Sequence, residues 1–172
     1  MISAILSTLK LIFIIGVGFL IQKSFQLGHL GILARDFGGL KGVFFSPLLH
    51  ADLRHLLTNC GSLLSLGPFF FYASRRDLPA PINLWFLSGV FTWLLGRGGA
   101  YHIGASGLIF SMLGYLMGLG FFRRDFRSLF ISILAVFLYH NALWGLLPSL
   151  PHVSWEGHLG GFIAGLIVAK FR

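Results

Sequence analysis

The sequence predicts an all-α polytopic membrane protein, one domain over residues 1–172 built as a bundle of six transmembrane helices. Three observations predict it. Of the 172 residues, 56% are hydrophobic and 10% are charged, where ordinary soluble domains carry about a quarter charged residues. Apolar segments recur near 4–22, 55–73, 82–95, 106–122, 128–147 and 157–171. The basic residues stand in short clusters between these segments, so the net charge of +8 forms no continuous stripe of the kind that binds nucleic acid. The lipid bilayer is the expected partner, and nucleic acid is not.

The first segment, "MISAILSTLKLIFIIGVGFLIQK", has no basic start and no small-x-small cleavage site, and it reads as a retained span rather than a removed signal peptide. Lys10 within it is expected to snorkel to the nearer interface. The third and sixth segments are shorter than the roughly 20 residues that cross a bilayer comfortably; their glycines and partial polarity fit helices enclosed by others. Arginines follow the second segment in "SRRD" (Ser74 to Asp77) and the fourth in "RRDFR" (Arg123 to Arg127), while Lys170 and Arg172 follow the sixth. All three clusters fall on one side, which the positive-inside rule makes cytoplasmic, together with both termini. The outer side then holds residues 23–54, 96–105 and 148–156; the first of these loops mixes apolar and polar residues without a spanning run. Cys60 is the only cysteine, so there is no internal disulfide and no thiolate metal site. No repeat, low-complexity tract or appended soluble domain is visible, and function is expected inside the bundle.

Spans two, four and six run in the same direction, so their amino-terminal ends share one leaflet. Span two begins at "HADLRHLLTN" with His50, His55 and Asn59, span four at "GASG" with Ser106, and span six at "GHLGGFIAG" with His158. Each polar residue has a plain structural reading: Ser106 as a small packing residue, His158 beside Glu156 as an interfacial residue, and His55 with Asn59, four apart on one face, as helix glue. Together they have a chemical one, because polar groups at membrane depth are costly and usually mark function. A serine hydroxyl becomes a nucleophile when a neutral histidine takes its proton. Backbone N–H groups at a helix start, an Asn amide and a His N–H can hold the resulting oxyanion. His158, Gly161 and Gly165 lie on one face of span six; Gly114 and Gly118 lie on successive turns below Ser106. Close contact there is expected to bring serine and histidine within hydrogen-bond reach. No HExxH pattern accompanies the histidines, so no metal is expected, and no acidic residue within a span marks a proton path.

Span five, Ser128 to Leu147, carries Phe130, Phe137, Tyr139 and Trp144 without glycine pairs, and leads to span six through "PSLPHVSWEG", whose prolines exclude one continuous helix. Span five and this connection are expected to form a movable gate, held by aromatic packing, beside a rigid core of spans two, four and six.

This arrangement resembles the rhomboid family of intramembrane serine proteases. The resemblance is carried by the six spans, by His50, His55 and Asn59 in a His-x4-His-x3-Asn pattern, by Gly104 to Gly107 as Gly-x-Ser-Gly, and by His158 followed by Gly161 and Gly165. It implies a six-helix bundle of rhomboid type, in its minimal bacterial form in the inner membrane, with a water-accessible cavity opening to the outer side. It further implies a Ser106/His158 dyad, with oxyanion donors from His55, Asn59 and the Ser106 backbone N–H. His50, Gly104, Gly107, Phe110, Gly161 and Gly165 are implied in support. Substrates would be single-span transmembrane proteins, with no cofactor or metal. Two departures stand out: Phe110 replaces the tyrosine that many relatives carry four residues after the serine, and the first outer loop lacks their Trp-Arg pair. The alternative implied function is a proteolytically silent relative that binds membrane proteins for quality control; retention of both Ser106 and His158 favours the protease.

Overall fold

A computed structural model describes residues 1–75, 79–148 and 153–171. The six apolar segments form helices α1 (Ile2–Phe25), α3 (Leu53–Ala73), α4 (Ala80–Leu95), α5 (Ser106–Arg123), α6 (Phe126–Tyr139) and α7 (Trp155–Lys170). The segment between α1 and α3 is ordered by short 3-10 turns, the single-turn helix α2 (Gly42–Phe45) and strand β1 (Ile32–Leu33). Strand β1 pairs antiparallel with β2 (Tyr101–His102), Ile32 opposite His102. The segment between α1 and α3 is thereby tied to the one that leads into α5. A 3-10 stretch, His140–Leu146, extends α6.

Helix ends follow local chemistry. Asp52 caps α3 by accepting from the His55 amide at 2.8 Å, Asp125 caps α6 through the Ser128 amide at 3.0 Å, and Ser154 caps α7 through the Gly157 amide at 3.3 Å. Short polar side chains satisfy the unpaired first-turn amides in this way. Helix α5 has no side-chain cap, since its N-cap residue is Ala105.

Helix α5 is the axis of the bundle. It is buried over most of its length and packs against α3, α4, α6 and α7, which is why its sequence is apolar on all sides instead of along one stripe. Helices α1 and α6 lie outermost, with Phe13 71%, Phe25 71%, Phe126 87% and Phe137 73% exposed. Such outward aromatic surfaces are lipid-facing in a bilayer. Among the described residues four helices, α1, α3, α5 and α6 with its extension to Leu146, are long and apolar enough to cross a membrane. The chain is an all-α polytopic membrane protein.

The α5–α7 seam closes backbone on backbone. A Cβ at Gly161 would lie 2.1 Å from the Gly107 carbonyl oxygen, one at Gly165 2.1 Å from that of Ser111, and one at Gly114 2.3 Å from that of Phe162. Gly118 faces a looser contact, 3.0 Å from the Ala169 Cβ. Of the connection Pro148 to Gly157 assigned to the gate, residues 149–152 lie outside the described residues, as do Arg76 and Asp77 of the "SRRD" cluster and Arg172.

Candidate active site

Ser106 is the first residue of α5, where unpaired amides and the positive end of the helix dipole point outward. The turn before it is built on Gly104. Its φ of +117° lies in a region that favours glycine, and its amide donates to the Ser46 carbonyl at 2.9 Å. Any side chain here would also meet its neighbours, because a Cβ at Gly104 would stand 2.7 Å from His55 Nε2 and 3.5 Å from Asn59 Nδ2. The α3 face bearing His55 and Asn59 is therefore pressed against the turn that presents Ser106.

His50 holds that turn from beneath. It is 0% exposed, and its Nε2 accepts from Asn59 Nδ2 at 3.0 Å and from the Ala105 amide at 3.4 Å. Those two bonds require an unprotonated Nε2. Burial, followed by the neighbouring His55, pushes its pKa down to about 4. Gln22 of α1 clasps the His50 backbone, accepting from its amide at 2.8 Å and donating to its carbonyl at 3.1 Å. Asn59 Nδ2 carries a second hydrogen that the bond to His50 does not use.

His158 enters from α7. Its ring stacks on Phe110 with centroids 4.2 Å apart and planes 13° from parallel. Phe110 follows Ser106 by four residues and so shares its helix face. Nδ1 of His158 donates to the Gly145 carbonyl at 2.9 Å; a carbonyl can only accept, so the proton sits on Nδ1 and Nε2 is the basic nitrogen. Among the described residues no hydrogen bond joins Ser106 Oγ to His158. The two side chains share one face and one end of the α5–α7 seam without the direct bond expected from the glycine spacing. A cavity of about 30 Å³ adjoins Ser106, lined by Ser88, Thr92, His102 and Ser154 together with apolar residues such as Ile32, Ile103 and Leu108, with room for about one water.

Two features escaped the sequence reading. One is the Gly145 carbonyl, which sets the His158 tautomer from thirteen residues away and carries no local pattern. The other is a polar clasp on the first turn of α7. Ser154 Oγ donates to His102 Nδ1 at 2.6 Å, His102 Nε2 donates to the Arg97 carbonyl at 2.9 Å, and Arg97 Nε pairs with Glu156 Oε1 at 3.2 Å. Arg97 also donates to the Val153 carbonyl. Glu156 is buried within this clasp. A serine three residues before the Gly157 amide, with a glutamate in the first turn, is a cap signature that could have located it.

Residues 38–172 match the Rhomboid domain family. The chain is similar to uncharacterised proteins of Mycobacterium tuberculosis and Mycobacterium bovis, each 41% identical over 148 residues, covering 81% of this chain and 62% of theirs. A third, from Mycobacterium leprae, is 38% identical over 139 residues, covering 76% of this chain and 55% of its own. The chain thus spans about 55–62% of the length of these relatives. With a match over most of its length and the polar ends of α3, α5 and α7 gathered at one end of an apolar bundle, the chain belongs to the Rhomboid family.

Proposed function

We propose that the chain is an intramembrane serine endopeptidase that cuts single-span transmembrane proteins near the outer membrane interface. The observation that carries this reading is the stack of His158 on Phe110, one helical turn from Ser106, with Nδ1 occupied by Gly145. Ser106 Oγ attacks the scissile carbonyl while His158 Nε2 takes its proton. The oxyanion is held by the Ser106 N–H, the free amide hydrogen of Asn59 and His55. His158 then returns the proton to the leaving amine, and a water deprotonated by the same nitrogen hydrolyses the acyl-enzyme. The Ser106–His158 bond closes as substrate binds, since catalytic hydrogen bonds are often long in the free enzyme. No step needs a metal or cofactor.

In the same reading α4 and α7 also cross the bilayer, giving six spans. At 16 residues each they rise only about 24 Å, and enclosure by the longer helices covers the shortfall against a hydrocarbon core of about 30 Å. The arginines at the far end of α5 support, by the positive-inside rule, a cytoplasmic position for that end and both termini, with Ser106 open to the outer side. Bacterial relatives support an inner-membrane location.

The test is fluorophosphonate labelling together with cleavage of tagged single-span substrates by the purified protein. Wild type should label and cleave; Ser106→Ala should do neither while melting normally. Asn59→Ala should lower kcat about a hundredfold, the usual effect of losing one oxyanion donor, and should also lower stability because it unpairs His50. Cleavage by Ser106→Ala rejects the mechanism. A wild type that neither labels nor cleaves any substrate assigns the chain to the silent, membrane-protein-binding alternative.

A further inference from the structure

At the end of the bundle opposite Ser106, the last turn of α5, the first turn of α6 and the end of α3 enclose a cavity of about 190 Å³. Its walls are of two kinds. Leu119 and Ile131 are apolar, and Arg123, Arg127, Asp125 and Ser128 are polar. Arg127 is the unusual member. Its guanidinium lies 5.0 Å from the Tyr72 ring centroid, and Arg75 covers the same ring at 4.6 Å. Its Nη2 is buried without a hydrogen-bond acceptor among the described residues. A buried cationic N–H without an acceptor is a costly arrangement.

The nearest carboxylate does not relieve it. Asp125 Oδ1 accepts from the Ser128 amide at 3.0 Å and Oδ2 from the Ser128 hydroxyl at 2.6 Å. These bonds hold the Asp125 carboxyl below its usual range. It is spent on capping α6, and the cavity keeps two guanidiniums against one engaged carboxylate. Asp77, the next acid in sequence, lies outside the described residues. Depth also matters. The 18 residues of α5 rise about 27 Å, close to the hydrocarbon thickness of about 30 Å, so this end sits at the level of lipid headgroups when Ser106 sits near the opposite interface.

We propose that this cavity binds an anionic phosphate group. Arg123 and Arg127 donate to its oxygens, and Leu119 and Ile131 receive the carbon skeleton that carries it. A guanidinium fork matches two phosphate oxygens in one plane, whereas a choline next to the phosphate would be repelled by the same arginines. The bound group ties the ends of α3, α5 and α6 together and fixes the foot of α6. None of this depends on peptidase chemistry, and Ser106→Ala protein should bind equally.

The full chain, delipidated in a non-ionic detergent, is subjected to native mass spectrometry with phosphatidylglycerol or phosphatidylcholine. Melting is followed in sodium phosphate and in sodium chloride of equal ionic strength. Wild type should retain one phosphatidylglycerol in preference to phosphatidylcholine, with binding about tenfold weaker in Arg127→Gln and in Arg123→Gln, the effect of one lost charged hydrogen bond. Arg124→Gln, which removes an exposed charge of the same loop, should change it less than about twofold. If free phosphate is the ligand instead, inorganic phosphate raises the melting temperature of wild type but not of Arg127→Gln, and the two lipids bind alike. Equal losses in all three arginine variants would mean bulk surface attraction and would overturn the site, as would the absence of any response to lipid or phosphate. Should Arg127→Gln not fold, the contrast between Arg123→Gln and Arg124→Gln separates a built site from bulk attraction in the same way.

Discussion

Helix α5 meets α7 and α6 in different ways. Against α7 it presents glycine, and three contacts at Gly107–Gly161, Ser111–Gly165 and Gly114–Phe162 leave no room for a single methyl group. Against α6 it combines a close contact at Gly120, where a Cβ would lie 2.9 Å from the Leu129 Cα, with a polar fastening. Ser132 Oγ donates to the Leu116 carbonyl at 2.8 Å and accepts from the Gly120 amide at 2.7 Å. That fastening sits near the cavity end, while at the Ser106 end α6 continues into a 3-10 stretch whose Trp144 is 68% exposed. In lipid the hydrophobic effect does little to hold helices together, and close backbone packing does the work instead. The seam carrying Ser106 and His158 is therefore rigid, and α6 is a strut fastened to α5 at Ser132 and, through its 3-10 extension, to His158 at the Gly145 carbonyl. A gate formed by this helix, as expected from the sequence, would have to release the bond between His158 and the Gly145 carbonyl.

The largest effect should come from forcing the rigid seam apart. A valine at Gly165 places a Cβ 2.1 Å from the Ser111 carbonyl, and one at Gly161 does the same to Gly107. Overpacking of ordinary cores costs about 1–3 kcal/mol, and here the obstacle is backbone that no side-chain rotation relieves. Gly165→Val should lose at least about 3 kcal/mol by that scale and fail to yield a monodisperse protein in detergent. A normally melting Gly165→Val would show that the seam is loose and the contrast with α6 false.

The joint of Gln22, His50 and Asn59, which ties α1 and α3 to the turn before α5, belongs on the rigid side, and pH can loosen it. With the His50 pKa at about 4 and that of a free imidazole near 6.5, the unfolded chain binds a proton between those values that the native chain does not. Stability from this source is complete above about pH 6.5 and falls as pH drops toward 4. Wild-type melting temperature should therefore decline from pH 7 to pH 5, and part of that decline should be missing in His50→Gln, whose amide does not titrate. Identical slopes in the two proteins would remove His50 as the source.

Much of this contrast is legible in the sequence. Gly161, Gly165 and Gly114 stand at helical spacing on the faces that meet, and the shared direction of α3, α5 and α7 brings His50, His55, Asn59, Ser106 and His158 to one end. What is not legible depends on partners far apart in the chain. Ser132 looks like any small polar residue in an apolar helix until Gly120 is placed opposite it. The fold between α1 and α3 rests on pairing with β2, some seventy residues on, and hydropathy says nothing of that. The aromatic packing expected of span five holds for Tyr139 and not for Phe130, Phe137 and Trp144, because a phenylalanine facing lipid and one facing a neighbour look identical in sequence.

Cutting the Ser132 fastening of α6 should have a modest effect. Ser132→Ala leaves the Gly120 amide without its acceptor, and membrane hydrogen bonds of this sort are worth about 0.6 kcal/mol on average and up to about 1.7. A small fall in melting temperature should accompany retained or raised cleavage of membrane substrates, because the strut swings more freely. Lost cleavage at unchanged stability would instead make α6 part of the catalytic frame.

The smallest effect should come from the aromatic residues themselves. Phe137 is 73% exposed and Trp144 68% exposed, so Phe137→Ala with Trp144→Ala removes side chains that mostly face lipid, and the cavity cost of truncating a packed core residue does not arise. Substitutions outside packed or hydrogen-bonded settings usually stay within about 0.5 kcal/mol, and the double variant should melt within that margin of wild type. A gate held shut by aromatic packing requires the opposite, a clear loss of stability from this pair. Loss of several kcal/mol would show that the outer half of α6 is locked against its neighbours after all, placing the movable element elsewhere. Unchanged melting with faster cleavage of a transmembrane substrate, but not of a soluble one, would locate lateral access along the outer half of α6.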